Sequence, residues 1–294
     1  MKTEKNIFVA FILNLAFSVF EFFGGIFTGS VAIVSDAVHD LGDAVSIGIA
    51  WLLEKKSKQP PNHRYTYGYL RYSVLGSLIT TVILLLGSVG VIYNAVVRII
   101  SPREVDCNGM ILLAVVGVCV NLGATFFTRN GSSLNQRAVN LHMLEDVLGW
   151  LVVLAGAVVM HLTDFTLIDP ILSIGVAVFI LLHALKNSKQ ILELFLEKTP
   201  GSIDISEIME HILELEGILD VHHVHIWSLD GQNHYATMHI VSNADHHKVK
   251  NQVRQTLQKH GIGHVTLELE RSTDHCDHKI CQPDFCPTPP HHHH

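Results

Sequence analysis

His39 and Asp43 stand four residues apart in the apolar stretch "SVAIVSDAVHDLGDAVSIGIAWLL", and His142 and Asp146 repeat that spacing in "NQRAVNLHMLEDVLGWLVVLAGAVV". On a helix, positions i and i+4 share a face one turn apart, so each stretch presents an imidazole beside a carboxylate. Together the two pairs offer four N and O donors, a set that suits tetrahedral Zn²⁺, with Cd²⁺ and Co²⁺ as relatives. A charge at the centre of a bilayer is penalised by roughly 2.5 to 3.5 kcal/mol, and neither Asp43 nor Asp146 has a Lys or Arg within two helical turns to neutralise it. A single His–Asp pair is as well explained by a structural hydrogen bond or by a side chain reaching towards the membrane surface. The repeat on a second apolar stretch makes a cation the better partner.

The elements that must carry these residues are long and apolar. Hydrophobic residues make up 48% of the 294, but unevenly. Up to Leu196 the chain is a series of apolar runs near the roughly 20 residues a transmembrane helix needs, whereas from Glu197 onward it reads as a soluble domain. The expected fold is a membrane all-α six-helix bundle (1–196) followed by a small cytosolic α+β domain (197–272) and a Cys/His-rich tail (273–294), whose last four histidines, His291 to His294, resemble a purification tag. The six spans are expected at Ile7–Phe27, Val31–Leu53, Val74–Ile99, Met110–Thr128, Ala138–Leu162 and Leu167–Lys186. The first lacks a small-residue cleavage site and is read as retained. Asp36 and Asp40 lie off the His39/Asp43 face; Asp36 either lines an entry path or bonds a neighbouring helix. Glu21, inside the first span, reads as a packing contact more than as part of a pathway.

Placing the N-terminus in the cytosol puts Lys2, Lys5, Lys55, Lys56, Lys58, Arg64, Arg71, Arg129, Arg137, Lys186, Lys189 and Lys198 on the inner side, against Arg98 and Arg103 outside, which is the orientation the positive-inside rule favours. An even number of spans returns the C-terminus to the cytosol, where Cys276, Cys281 and Cys286 are expected as thiols. The formal charge of -7 is spread along the chain with no long basic patch, so nucleic acid is not an expected partner.

In the soluble part, "TPGSIDISEIMEHILELEG" has helical spacing after a Pro-Gly break, "ILDVHHVHIWSL" and "HYATMHIVS" flank the turn "DGQN", "DHHKVKNQVRQTLQKHG" is a helix closed by Gly261, and "HVTLELER" is a last strand. The order αββαβ predicts a small sandwich. With the hairpin centred on Gly231 and Gln232, Val224 pairs with His239, which sets His239 on the face of His222 and sends His223, His225 and Trp227 to the opposite one. Histidines on a hairpin are as commonly solvated as ligating. In the tail, Cys276, His278 and Cys281 suit Zn²⁺ or Cu⁺, although their spacing is not that of a zinc knuckle and a flexible tail of reduced thiols fits equally well.

"GSVAIVSDAVHDLGDAVS" and "RAVNLHMLEDVLGWLVV" resemble the second and fifth helices of the cation diffusion facilitator family. The likeness runs over most of the chain, through Asn14 and Glu21 in "NLAFSVFEFFGG", "RYTYGYLR", "DPILSIGVAVFIL" at Asp169 and Pro170, and "VHHVHIW". The resemblance implies a homodimeric exporter in the bacterial inner membrane that moves divalent metal out of the cytosol against protons by alternating access, with a metallochaperone-like cytosolic domain. It places the transport site on His39, Asp43, His142 and Asp146, and the histidines there are those of the zinc branch, since manganese-selective members tend to carry acidic or amide residues. His222, His239 and His247 fall where the family's cytosolic sites have ligands, with Glu268 and Glu270 on the last strand, so that Zn²⁺ is implied both as cargo and as regulatory ligand. A further site known in some members after the second helix is not expected, because Tyr65 and Tyr69 in "NHRYTYGY" stand where imidazoles would, leaving His63 alone. Metal and proton compete for the same atoms, an unperturbed imidazole titrating near pH ~6.5. A membrane metalloenzyme would need an open coordination position and a general base, and no H-E-x-x-H stands in the chain; a metal sensor anchored by the helices would have no use for ligands inside the membrane.

Overall fold

Six long helices precede a mixed sheet. They are α1 (Lys2–Thr28), α2 (Val31–Ser57), α3 (Arg71–Ile100), α4 (Cys107–Thr128), α5 (Leu134–Thr163) and α6 (Ile168–Phe195), followed by α7 (Ile205–Leu213), β1 (Ile218–Ser228), β2 (His234–Ser242), α8 (His246–Lys259) and β3 (Ile262–Glu270). The computed structural model describes residues 2–28, 31–101, 107–130, 133–163 and 168–273. The chain divides into two compact units, Met1–Glu193 and Leu194–His294.

The first unit packs apolar clusters such as Ile7, Ile47, Val139 and Met143, but it also buries polar side chains and turns large apolar ones outward. Ser77, Thr80, Thr81, Ser88, Asn121 and Asn135 are buried, whereas Phe20, Leu86, Leu112 and Leu182 point outward. That distribution suits hydrocarbon as the solvent, where apolar groups face lipid and polar ones must find partners within the bundle. Among the described residues, Thr3–Phe23, Arg71–Val97, Ile111–Thr128 and Leu134–Gly156 are each long and apolar enough to cross a bilayer; α2 is interrupted by Asp36, Asp40 and Asp43. Several helices outrun their apolar stretches, α2 to Ser57, α3 from Arg71 and α6 to Phe195. Apolarity marks only the part that meets lipid, while the helical hydrogen-bond ladder continues into water.

Side-chain amides join the helices. Asn140 donates to the carbonyl of Thr125 at 3.1 Å and to the Thr128 hydroxyl at 2.9 Å, and Gln136 donates to the carbonyl of Thr128 at 3.1 Å. The bond from Gln136 supplies a partner to a carbonyl in the last turn of α4, and those from Asn140 tie α5 to the same turn. Close approach also requires glycine: a Cβ on Gly117 of α4 would sit 2.5 Å from the Trp150 ring of α5. Near the ends of α2, α3 and α5, the buried Glu54 carboxylate accepts from Ser73 at 2.6 Å and Asn135 at 3.3 Å, and Asn135 also donates to the Ala50 carbonyl at 2.8 Å.

The second unit has a conventional core. Ile208 and Ile212 of α7 and Val249, Val253 and Leu257 of α8 pack on Val221, Ile226, Ala236, Met238 and Ile240 of the sheet. Asp204 caps α7 by accepting from the N–H groups of Ser206 and Glu207, and Asp245 caps α8 by accepting from that of Lys248. The strand order is β1-β2-β3, with β1 and β2 antiparallel and β2 and β3 parallel across α8. Burial alternates along β2, with Ala236, Met238, Ile240 and Ser242 facing the helices and Tyr235, Thr237, His239 and Val241 facing away.

Candidate metal centres

In the membrane unit, Asp43 of α2 meets His142 and Asp146 of α5. Each offers a donor atom, and the three atoms lie within 4.8 Å of one another. His142 is 3% and Asp43 7% exposed, and His142 Nε2 stands 3.7 Å from Asp43 Oδ1. Asn14 of α1 completes the surroundings, its Nδ2 donating to Asp146 Oδ2 at 3.3 Å. Ser18 in turn donates to the Asn14 carbonyl at 2.9 Å and to its Oδ1 at 3.4 Å, an arrangement that turns the Asn14 amide nitrogen towards the carboxylate. Outer partners of this kind orient a ligand and set its basicity. Phe17 stacks edge-on against Trp150 at 5.4 Å, one turn along α5 from Asp146. Glu21 is also buried on α1. The His39 backbone lies in α2 one turn before Asp43, but its side chain, like that of Asp36, lies outside the described residues.

In the cytosolic unit, His222, His239 and Glu270 likewise place donor atoms within 4.8 Å of one another. His239 Nδ1 is 2.5 Å from Glu270 Oε1, its Nε2 is 3.4 Å from Glu268 Oε2, and His222 Nε2 is 3.4 Å from Glu270 Oε2. The parallel register explains the grouping, since His239 pairs with Glu268 and Glu270 follows two residues on, on the same face.

The hairpin departs from the expected register. His239 pairs with His222, not with Val224, and the register shifts between His222 and His225. His223 occupies this bulge at φ 50°, a left-handed conformation uncommon for a residue bearing a Cβ. One extra residue reverses the facing of those beyond it. His225 and Trp227 therefore share the open face with His222 and His239, and Trp227 stacks on Tyr235 at 5.9 Å. His223 is not directed to the opposite face either, its ring centroid standing 4.8 Å from that of His239.

His247 is not drawn into this group. It is exposed on the first turn of α8, where its Nδ1 lies 3.2 Å from Asn251 Nδ2. The tail residues Cys276, His278 and Cys281 lie outside the described residues. In the loop after α2, Asn62 accepts from the N–H groups of Arg64 and Tyr65 and donates to the Tyr69 hydroxyl at 2.7 Å, while Tyr65 and Tyr69 pack at 4.4 Å.

Asn14 was visible in the sequence only as part of a resemblance; its contact with Asp146 joins α1 to α5 and leaves no local spacing signal. Glu54, at the end of an apolar run, likewise gave no sign of its burial.

Comparison with known proteins agrees with this architecture. Residues 7–196 match the cation efflux transmembrane domain and residues 200–272 the cytoplasmic domain of cation efflux proteins. The chain is 31% identical, over an alignment 301 positions long, to the cadmium, cobalt and zinc/H(+)-K(+) antiporter of Bacillus velezensis, covering 99% of this chain and 96% of that protein. It is 32% identical over 278 residues to the zinc transporter ZitB of Escherichia coli, covering 92% and 88%, and 30% identical over 273 residues to the metal cation efflux system protein CzcD of Cupriavidus metallidurans, covering 91% and 86%. The chain is therefore an integral membrane transporter and belongs to the cation efflux family, the cation diffusion facilitators that its paired His and Asp residues resemble.

Proposed function

We propose that this protein exports Zn²⁺ from the cytosol in exchange for protons, with Cd²⁺ and Co²⁺ as further cargo, by alternating access around His39, Asp43, His142 and Asp146. The observation that carries the reading is the convergence of Asp43, His142 and Asp146 on one point inside a bundle whose outer surface is apolar. An imidazole and two carboxylates so placed bind a borderline dication when deprotonated and release it when protonated, so each proton taken up weakens the hold on the metal. The names of the relatives, a zinc transporter and a cadmium, cobalt and zinc antiporter, favour the same cargo and counter-ion.

The match to the cation efflux cytoplasmic domain supports a homodimer, and the flanking Lys and Arg residues support cytosolic termini in a bacterial inner membrane. His222, His239, Glu268 and Glu270 then face the cytosol, where they bind Zn²⁺ as a regulatory ligand.

The reading is tested in proteoliposomes carrying an internal Zn²⁺ dye and a pH dye. The native protein is expected to take up Zn²⁺ as protons leave, and Asp43→Ala or Asp146→Ala to abolish both signals. A native preparation that binds Zn²⁺ yet moves none would return the protein to the sensor class.

A further inference from the structure

The helical side of the cytosolic unit carries a second histidine pair, away from the hairpin. Ile208 and Ile212 turn α7 towards the core, which leaves Glu207 and His211, themselves i and i+4, on its exposed shoulder. At the far end of α8, His260 is the C-terminal cap: its N–H bonds back to the carbonyls of Thr256 and Leu257, and Gly261 at φ 79° reverses the chain into β3. This turn leaves His260 beside α7. His211 Nδ1 stands 3.0 Å from His260 Nε2, with ring centroids 5.1 Å apart. Glu207, His211 and His260 each offer a donor atom, and the three atoms lie within 4.8 Å of one another.

We propose that Glu207, His211 and His260 form a further site for a divalent cation of the Zn²⁺ class, distinct from both the membrane cluster and the hairpin cluster. Two imidazole nitrogens at hydrogen-bonding distance require one of them to be deprotonated, the form a metal binds. Two nitrogens and one carboxylate oxygen suit Zn²⁺ or Co²⁺ better than Mg²⁺ or Ca²⁺, which prefer oxygen. The last carbonyls of α8 favour a positive charge beside His260. The backbone under Glu207 is held by the Asp204 cap, so the three donors are presented by two anchored helix ends. Three protein ligands leave a coordination position for water, which makes the ion exchangeable. Bound there, it ties α7 to the end of α8.

The spacing of Glu207 and His211 is the same kind of signal that marks the membrane pairs, but the partner His260 is remote in sequence and only the fold brings it near. The competing explanation is a neutral hydrogen bond between the two rings with no ion.

Equilibrium dialysis decides between them. The full-length protein in detergent micelles is dialysed against buffered micromolar free Zn²⁺, and bound metal per chain is measured. The native protein is expected to hold one ion more than His211→Ala or His260→Ala, while Glu210→Gln, elsewhere on α7, matches the native value. A second variant guards against a folding effect: His211→Cys in the presence of Co²⁺ is expected to show more thiolate-to-metal charge-transfer absorbance than the native protein, whose own cysteines set the baseline. Equal metal content in native and histidine variants, or no gain in that absorbance over the native baseline in the cysteine variant, would overturn the site. Neither readout involves flux, so the result stands whatever the transport assay shows.

Discussion

The membrane cluster and the hairpin cluster use the same two kinds of donor on opposite kinds of scaffold. His222, His239 and Glu270 stand on three strands joined by backbone hydrogen bonds, so the backbone positions that carry them cannot shift without breaking the ladder. Asp43 and His142 stand on different helices, each of which satisfies its own backbone, and only side chains connect them. Donors fixed on one sheet can hold an ion and report its presence. Donors on separate helices can be drawn together and parted, which a site must allow if its ion is to enter from one side and leave by the other. The contrast extends to what fills each interior, polar side chains mixed with small and aliphatic ones in the membrane unit and mainly aliphatic ones in the cytosolic unit.

The largest effect that bears on this contrast is expected from Asp146→Ala. Zn²⁺ flux in proteoliposomes should fall to the liposome background, while the cytosolic cluster keeps its ion in equilibrium dialysis; loss of metal from both would mean that the two clusters are not independent. Next comes Asn14→Ala, which removes the donor to Asp146 without removing a ligand. Outer partners of metal ligands are worth about 10- to 100-fold in affinity, so the Zn²⁺ concentration for half-maximal flux should rise by about that factor, with thermal stability nearly unchanged.

A smaller effect tests the rigidity of the hairpin. His223→Val places a β-branched residue at φ 50°, where left-handed backbone costs roughly 1–2 kcal/mol, and a lowered denaturation midpoint of the cytosolic unit is expected; His223→Gly should not lower it. The smallest effect is expected from Lys248→Met. Lys248 lies 2.8 Å from Glu216 with both groups exposed. Their hydrogen bond holds the Glu216 carboxyl below its ordinary range and the Lys248 ammonium above its own. A lowered carboxyl contributes above its unfolded pKa and loses that contribution as pH falls through the folded value; a raised ammonium contributes below its unfolded pKa and loses it as pH rises through the folded value. The contribution of the pair is therefore flat across neutral pH, and solvent screening keeps it small. Melting curves of native and Lys248→Met protein at neutral pH should superimpose.

The features legible in the sequence were those written locally. The spacing of His142 and Asp146 sets both on one face of a helix, the apolar runs mark the six helices, and the alternation in "HYATMHIVS" reveals which face of β2 is covered. The bulge at His223 was not legible, because neither Gly nor Pro stands there to mark it, and missing it misassigned the facing of His225 and Trp227. The contacts of Asn14 with Asp146, Asn135 with Glu54 and His211 with His260 join distant parts of the chain, and no local period encodes them.

Gly117 carries a mechanical implication. With the Trp150 ring seated against a bare α-carbon and the last carbonyls of α4 gripped by Asn140 and Gln136, α4 and α5 have little room to slide past one another. They should turn as one rocker arm, with His142 and Asp146 riding on it. The pivot then lies where α4 meets α1 and α5 meets α3, and filling the seat by Gly117→Ala should wedge the two helices apart and slacken the arm, lowering flux before it disturbs the grip on the ion.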